Sequence, residues 1–319
     1  MKFIRFFALL AFVVFAGLVL ARPASAVDFE KGGDRMVEQQ TTEGGWGWNE
    51  YEGPFANIHG PTGLGLLRAF QRTGKSTQKD ALSTASGFLQ TFAEGDFSAG
   101  NQGTLAVGLD NLADISGNVD HMNTGFYEKL SQGNYLDYTS TEDYVDRGRV
   151  SRRNRNDNLA AWDMGEGLHS ASTIGAGDRG AWVEGTKAEL NLMDKDGDYV
   201  AIGLAGAIHG LASAGETFDP TNGDFASNDS IKELARELAD NYQLPNGGFA
   251  HYDNSETADL QVTAYSILAL DAVDREAFGA DIQSAYEYLT SAQTDSGGFL
   301  AGEADDDAQW GGENQEVNG

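Results

Sequence analysis

The chain has 319 residues, with 49 acidic residues against 21 basic ones, a formal charge of −28 and no cysteine. That charge excludes nucleic acid and anionic membrane surfaces as partners, and it fits a halophilic or marine protein whose self-repulsion is screened by salt. The lack of cysteine excludes disulfides and thiolate metal sites.

Residues 1–26 read as a signal peptide. Lys2 and Arg5 precede an apolar run from Phe6 to Ala21, and Ala24-Ser25-Ala26 gives an A-x-A cleavage pattern. The run is short for a membrane span, which needs roughly 20 residues. The mature chain is therefore expected to start near Val27, to be secreted or held at the cell surface, and to have no membrane contact after cleavage. Its charge moves from −28 to −31 because Lys2, Arg5 and Arg22 are lost and no acid is. With five prolines and no long Ser/Pro/Gly linker, residues 27–319 are expected to form one domain.

Within that domain the spacing predicts pairs of helices. Pro61 to Phe70 reads as a first inner helix opened by Pro61, with Leu64, Leu67 and Phe70 on one stripe and Gly74 as its stop. A partner follows over about Asp80 to Phe92. The pattern recurs at Thr104 to Leu112 and at Tyr199 to Leu211. Ser230-Ile-Lys-Glu233 then forms a capping box ahead of Ile231, Leu234 and Leu238. Val262 to Leu270 pairs with a helix carrying Ile282, Ala285, Tyr286 and Leu289. Small residues such as Gly203, Ala207 and Gly210 let inner helices crowd together.

The links between pairs repeat. Gln243-Leu-Pro-Asn-Gly-Gly-Phe249 is answered by Gln293-Thr-Asp-Ser-Gly-Gly-Phe299, and Gly44-Gly45-Trp46 opens the body of the chain. Such repeats stack one supersecondary unit many times, each burying a face that it cannot bury alone. About five helix pairs are expected, with the next inner helix due just beyond Gly319, so the ring is expected to be incomplete at that end or completed by something else.

The Gln-x-x-x-Gly-Gly-Phe phrase followed by Thr263-Ala264 and an apolar helix resembles the repeat of the terpenoid cyclase and protein prenyltransferase superfamily. The resemblance implies an all-α fold, an α/α toroid of inner and outer helices around a central cavity. It does not imply an activity, because such toroids host several chemistries. Zinc-dependent prenyltransferases and thioester proteins of this shape need a cysteine, which this chain lacks. Glu303-Ala-Asp305-Asp306-Asp307-Ala308 is similar to the acid motif of squalene-type cyclases. It departs from that motif at Glu303 and Asp307.

Three constellations carry candidate chemistry. Asp194, Asp196 and Asp198 imitate the start of an EF-hand loop, but Tyr199 stands where Gly and Ala205 where Glu should be; a smaller Ca²⁺ site is the functional reading, an acid-rich helix start the plain one. Arg147, Arg149, Arg152, Arg153 and Arg155 crowd into nine positions, where guanidinium could grip a uronate-bearing polymer or dock on the protein's own acids. Trp162, Asp163, Glu166 and His169 follow at helical spacing. In the sugar-site reading Arg152, Arg153 and Trp162 hold a saccharide, and Asp163, Glu166 and His169 transfer protons. Trp46, Trp48 and His59 are further substrate-binding candidates, with a turn anchor or packed core as the plain reading.

The expectation is a secreted toroid that binds or cleaves a polysaccharide, as a lyase or a hydrolase, with no required cofactor. A terpene-cyclase-like enzyme and a non-catalytic surface protein are the alternatives. A cavity lined with acids, arginine and tryptophan favours a glycan, one lined with aromatics alone favours the cyclase, and one plugged by large side chains favours a scaffold.

Overall fold

A computed structural model describes residues 27–49, 53–54, 56–89, 158–174, 179–300 and 313. These residues fold into nine helices: α1 (Phe29–Gln39), α2 (Ala56–Thr73), α3 (Ser76–Leu89), α4 (Leu159–Ile174), α5 (Arg179–Leu190), α6 (Val200–Ser213), α7 (Ile231–Tyr242), α8 (Leu260–Asp274) and α9 (Gly279–Ala292). Extended pairing among them is limited to single bridges such as Gln243 with Phe249 and Phe249 with Asp259. The fold is all-α, and the helices alternate between an inner and an outer layer, as in an α/α toroid. Inner α6 packs between inner α4 and inner α8, while α5, α7 and α9 lie outside them. No described helix is long and apolar enough to cross a membrane.

Sequence decides which layer each helix joins. Outer α7 is amphipathic: Ile231, Leu234, Ala235, Leu238 and Tyr242 are buried on one face, with Lys232, Glu233 and Arg236 off it. Its first turn is closed by Ser230, whose hydroxyl accepts from the Glu233 N–H, while the Glu233 carboxylate reaches back to the Asp229 N–H. Inner α6 is apolar nearly all round and buried from Val200 to Ile208. It can lie so close to α4 because both present glycine. A Cβ on Gly165 would stand 2.0 Å from the Gly206 carbonyl oxygen, and one on Gly206 would stand 2.7 Å from the Trp162 Cα.

The repeated glutamine is the joint between units. Gln243 Nε2 donates to the Gly247 carbonyl at 2.9 Å and to the Asp281 carbonyl of the next outer helix at 2.8 Å. Gln40 does the same to Gly44 and to Ala81 of α3. Gln293 bonds Gly297 at 2.8 Å and then turns to the start of the chain, donating to the Asp28 carbonyl and accepting from the Asp28 N–H. The last outer helix is thereby joined to the first, α9 to α1, by the device that joins neighbours elsewhere. The Glu313 carboxylate reinforces the seam, bound by Arg35 and Gln39 of α1 and by Thr294 and Ser296.

One boundary differs from expectation. The first inner helix begins at Ala56, and Pro61 lies inside it rather than at its start. The helix forgoes the bond that an N–H at position 61 would give to the carbonyl four residues back.

Candidate functional site

The inner helices carry a stripe that the outer layer does not cover. On α4 the face toward α5 is buried through Met164, Gly167 and Leu168: Thr186 of α5 donates to the Met164 carbonyl, and Gly167 abuts the Trp182 ring. Trp162, Glu166 and His169 lie on the other side and stay half-buried. On α8 the matching stripe is Gln261, Tyr265 and Leu268, the last 47% exposed.

Tyr265 and Glu166 meet across α6, the phenol donating to the carboxylate Oε1. The Tyr265 ring also stands edge-on to Trp162, with centroids 5.4 Å apart and planes at 81°. An acid is thus fixed by a phenol and walled by two aromatic rings. The Trp162 indole N–H is buried and donates to nothing among the described residues. One turn further on, His169 lies against His209 of α6, with ring centroids 4.5 Å apart. Burial lowers the pKa of both imidazoles; His209 falls to about 3, pushed further by His169 and opposed by Asp271. Both rings are therefore neutral near pH 7 and resist protonation.

The other sequence-derived candidates lie elsewhere. Asp163 is buried, at 4% exposure, and is not part of the half-buried stripe. Trp46 is fully buried and donates its indole N–H to the Met36 carbonyl at 2.8 Å. A ring with no exposure has no face to give a sugar, so Trp46 anchors the first turn. His59 is packed between Trp46 and Phe88, at 5.0 and 5.1 Å, and its Nε2 donates to the Ala85 carbonyl. Burial drives its pKa to about 4, partly opposed by that bond, which makes it a neutral core residue rather than a ligand contact. Trp48, two residues beyond Trp46, is 36% exposed.

Asp194, Asp196 and Asp198 form a turn pinned to the start of α4. Asn158 donates to the Asp194 carbonyl, accepts from the Asp194 N–H and gives its own N–H to the Asp198 carbonyl. Asp194 Oδ1 accepts from the Asp196 N–H within the turn. Among the described residues no three His, Asp or Glu side chains converge to hold a metal ion, and this run is no exception. Arg152, Arg153, the Glu303–Asp307 run and residues 1–26 lie outside the described residues. Sequence reasoning missed Tyr265, although Gln261, Tyr265 and Leu268 at four- and three-residue spacing mark a second face of α8.

No known family model matches the chain, and no curated protein matches it. The structure is similar to a protein from Actinoplanes, with a TM-score of 0.52 and 15% identity over 85% of this chain and 81% of that one. That likeness extends to the fold alone. Looser overlaps occur with the GH76A alpha-1,6-mannanase of Salegentibacter sp. HEL1_6, at TM-score 0.37, and with its inactive variant in complex with alpha-1,6-mannotriose, at 0.38. Each is 11% identical over 77% of this chain and 99% of that one. No residue role is taken from them. What the described residues show is an all-helical toroid whose inner layer carries the Glu166 carboxylate beside Tyr265 and Trp162.

Proposed function

We propose that this toroid binds a polysaccharide in its lumen and cleaves it by proton transfer involving Glu166. The observation that carries the reading is the convergence of Trp162 and Tyr265 around the Glu166 carboxylate. Aromatic rings take the apolar faces of pyranoses, and a fixed carboxyl group beside them can, when protonated, give its proton to the glycosidic oxygen or, when ionised, take one from the attacking water.

With a formal charge of −28, a neutral polymer fits better than a uronate one. A stripe that mixes Trp, Glu, His and Tyr also speaks for a glycan over an alkene, which needs an apolar wall throughout. Among the described residues this stripe gives the terpene-cyclase-like alternative no support.

The test is a panel of neutral and acidic polysaccharides, read by reducing ends, by absorbance of unsaturated products and by retention on the immobilised polymer. Cleavage lost in Glu166→Gln with retention kept is the expected result. Retention without cleavage by the wild type would leave a binding protein. Neither on any polymer would put the surface-protein reading ahead.

A further inference from the structure

A second cleft opens at the end of the toroid where the inner helices begin. It has a volume of about 380 Å³ and is lined by Lys195 and Asp196 of the turn before α6, Asn241 of α7, and Tyr252, Asp253 and Asn254 of the loop before α8. Lys195 is engaged by Glu237, so the cleft presents little free positive charge. Buried Tyr242 lies at its wall.

Tyr252 is 43% exposed, although a ring of that size would be expected to pack. Its ring lies 5.8 Å from that of His251, and His251 is in turn met edge-on by Tyr199 at 5.7 Å. Tyr199 is itself exposed, at 39%, and both Tyr199 and Asn254 hold left-handed backbone, with φ of 59° and 73°. An exposed ring held in place costs little entropy when a ligand lands on it. Carboxylate and carboxamide groups beside such a ring match vicinal hydroxyls, since each can take or share hydrogen bonds from two adjacent O–H groups. The volume lies at the low end for ligand pockets, room for one or two hexose units.

We infer that this cleft is a separate binding subsite for a neutral sugar, stacked on Tyr252 and hydrogen-bonded by Asn241, Asp253 and Asn254. It takes its ligand class from the polysaccharide reading of the lumen, but it shares no residue with that site. A polymer held at the loop end could then be presented to the lumen without either site binding tightly alone.

The experiment is calorimetric titration of the full chain with soluble neutral hexasaccharides of glucose, mannose and xylose, comparing wild type, Trp162→Ala, Tyr252→Ala and Tyr252→Phe. Two sites in the wild type, with Tyr252→Ala losing one, Trp162→Ala losing the other and Tyr252→Phe keeping both, supports the cleft. Tyr252→Ala binding like wild type overturns it, as does Trp162→Ala losing all binding; both results leave the lumen reading intact. No binding by any form to any hexasaccharide overturns the cleft and the lumen reading together. Melting temperatures of the exposed Tyr252 variants within about 2 °C of wild type show that the loss is not unfolding.

Discussion

Gln293 and Asp28, 265 residues apart in sequence, exchange two hydrogen bonds across the seam of the ring, at 2.8 Å and 3.3 Å. Gln40 and Gln243 make the corresponding contact to the next outer helix, to Ala81 and Asp281. The seam thus repeats the internal joint with one added bond, from the Asp28 N–H, but it differs in topology. Breaking an internal joint loosens neighbours already tied by a short stretch of chain; breaking the seam frees two ends whose loop closure spans nearly the whole domain. Gln293→Ala removes three bonds and should cost about 2–3 kcal/mol. Urea denaturation should show a loss at least equal to that of Gln243→Ala, and a clearly smaller loss would show that the seam is not a joint of the fold.

The glycine after each glutamine is held more rigidly still. Gly247 has φ of +93°, and a Cβ there would stand 2.2 Å from the Ser284 carbonyl oxygen of α9. Gly44 and Gly297 repeat the conformation, each against the backbone three residues beyond its partner, at Thr84 and Lys31. Strain and backbone collision act together, so Gly247→Ala should destabilise by about 2–4 kcal/mol. Gly215 has φ of +70° but nothing within 4 Å, so Gly215→Ala should cost only the conformational strain, about 1 kcal/mol. Equal losses in the two variants would remove the collision from the account.

This is why so much of the fold could be read before the structure. The Gln-x-x-x-Gly-Gly phrase is local in sequence, and each of its residues has one physical duty that only a few side chains can perform. The site is the reverse case. Glu166 and Tyr265 are 99 residues apart, and nothing in the sequence pairs them. Trp46 and His59 looked like ligand groups by type, but the first turn folds over both. Residue type predicts what a group can do, while burial decides whether it meets a ligand.

Acid should destabilise the protein through its buried histidines. Burial holds His59 down to about 4 and His209 to about 3, whereas an exposed imidazole titrates near 6.5. Below pH 6.5 the unfolded chain takes up protons that the folded chain refuses, so stability falls as pH drops from 6.5 toward 4, and His209 extends the fall toward 3. The carboxylates act in the same direction at lower pH. Burial raises Asp259 and Glu313, but Asp259 is carried below its ordinary value by His251, and Glu313 by Ser296, Arg35 and Thr294. Their stabilisation is present above the usual carboxylate range and is lost as pH falls through the depressed values. Two buried imidazoles together give a slope of about 3 kcal/mol per pH unit at most. His59→Gln keeps a donor for the Ala85 carbonyl and removes one titrating group, so its melting temperature should fall less steeply between pH 6.5 and 4. Parallel curves would place the acid sensitivity elsewhere.

Salt should work in the opposite sense. A formal charge of −28 destabilises the compact state by self-repulsion, and ions shorten the range of that repulsion to about 3 Å at 1 M. Exposed pairs such as Arg275 with Asp271 weaken in the same salt, but water already screens them, so each contributes little. The melting temperature should therefore rise between about 0.05 and 1 M NaCl. A flat or falling curve would mean that the pairs outweigh the net charge.

The two roles of Tyr265 can be separated at a single atom. Its hydroxyl fixes the Glu166 carboxylate, and its ring meets Trp162 edge-on at 5.4 Å. Tyr265→Phe keeps the ring and loses the hydrogen bond. Retention on a neutral polymer should then change by less than about threefold, because the aromatic wall is intact. Turnover should drop by about tenfold or more, because an unfixed carboxylate spends less time in the reactive geometry. Tyr265→Ala removes the ring as well and should weaken retention too, through the exposed side of Trp162. In kinetic terms the Phe variant loses kcat at nearly constant KM, and the Ala variant loses both. If Tyr265→Phe raises KM and spares kcat, the phenol contacts the sugar directly and does not act through Glu166.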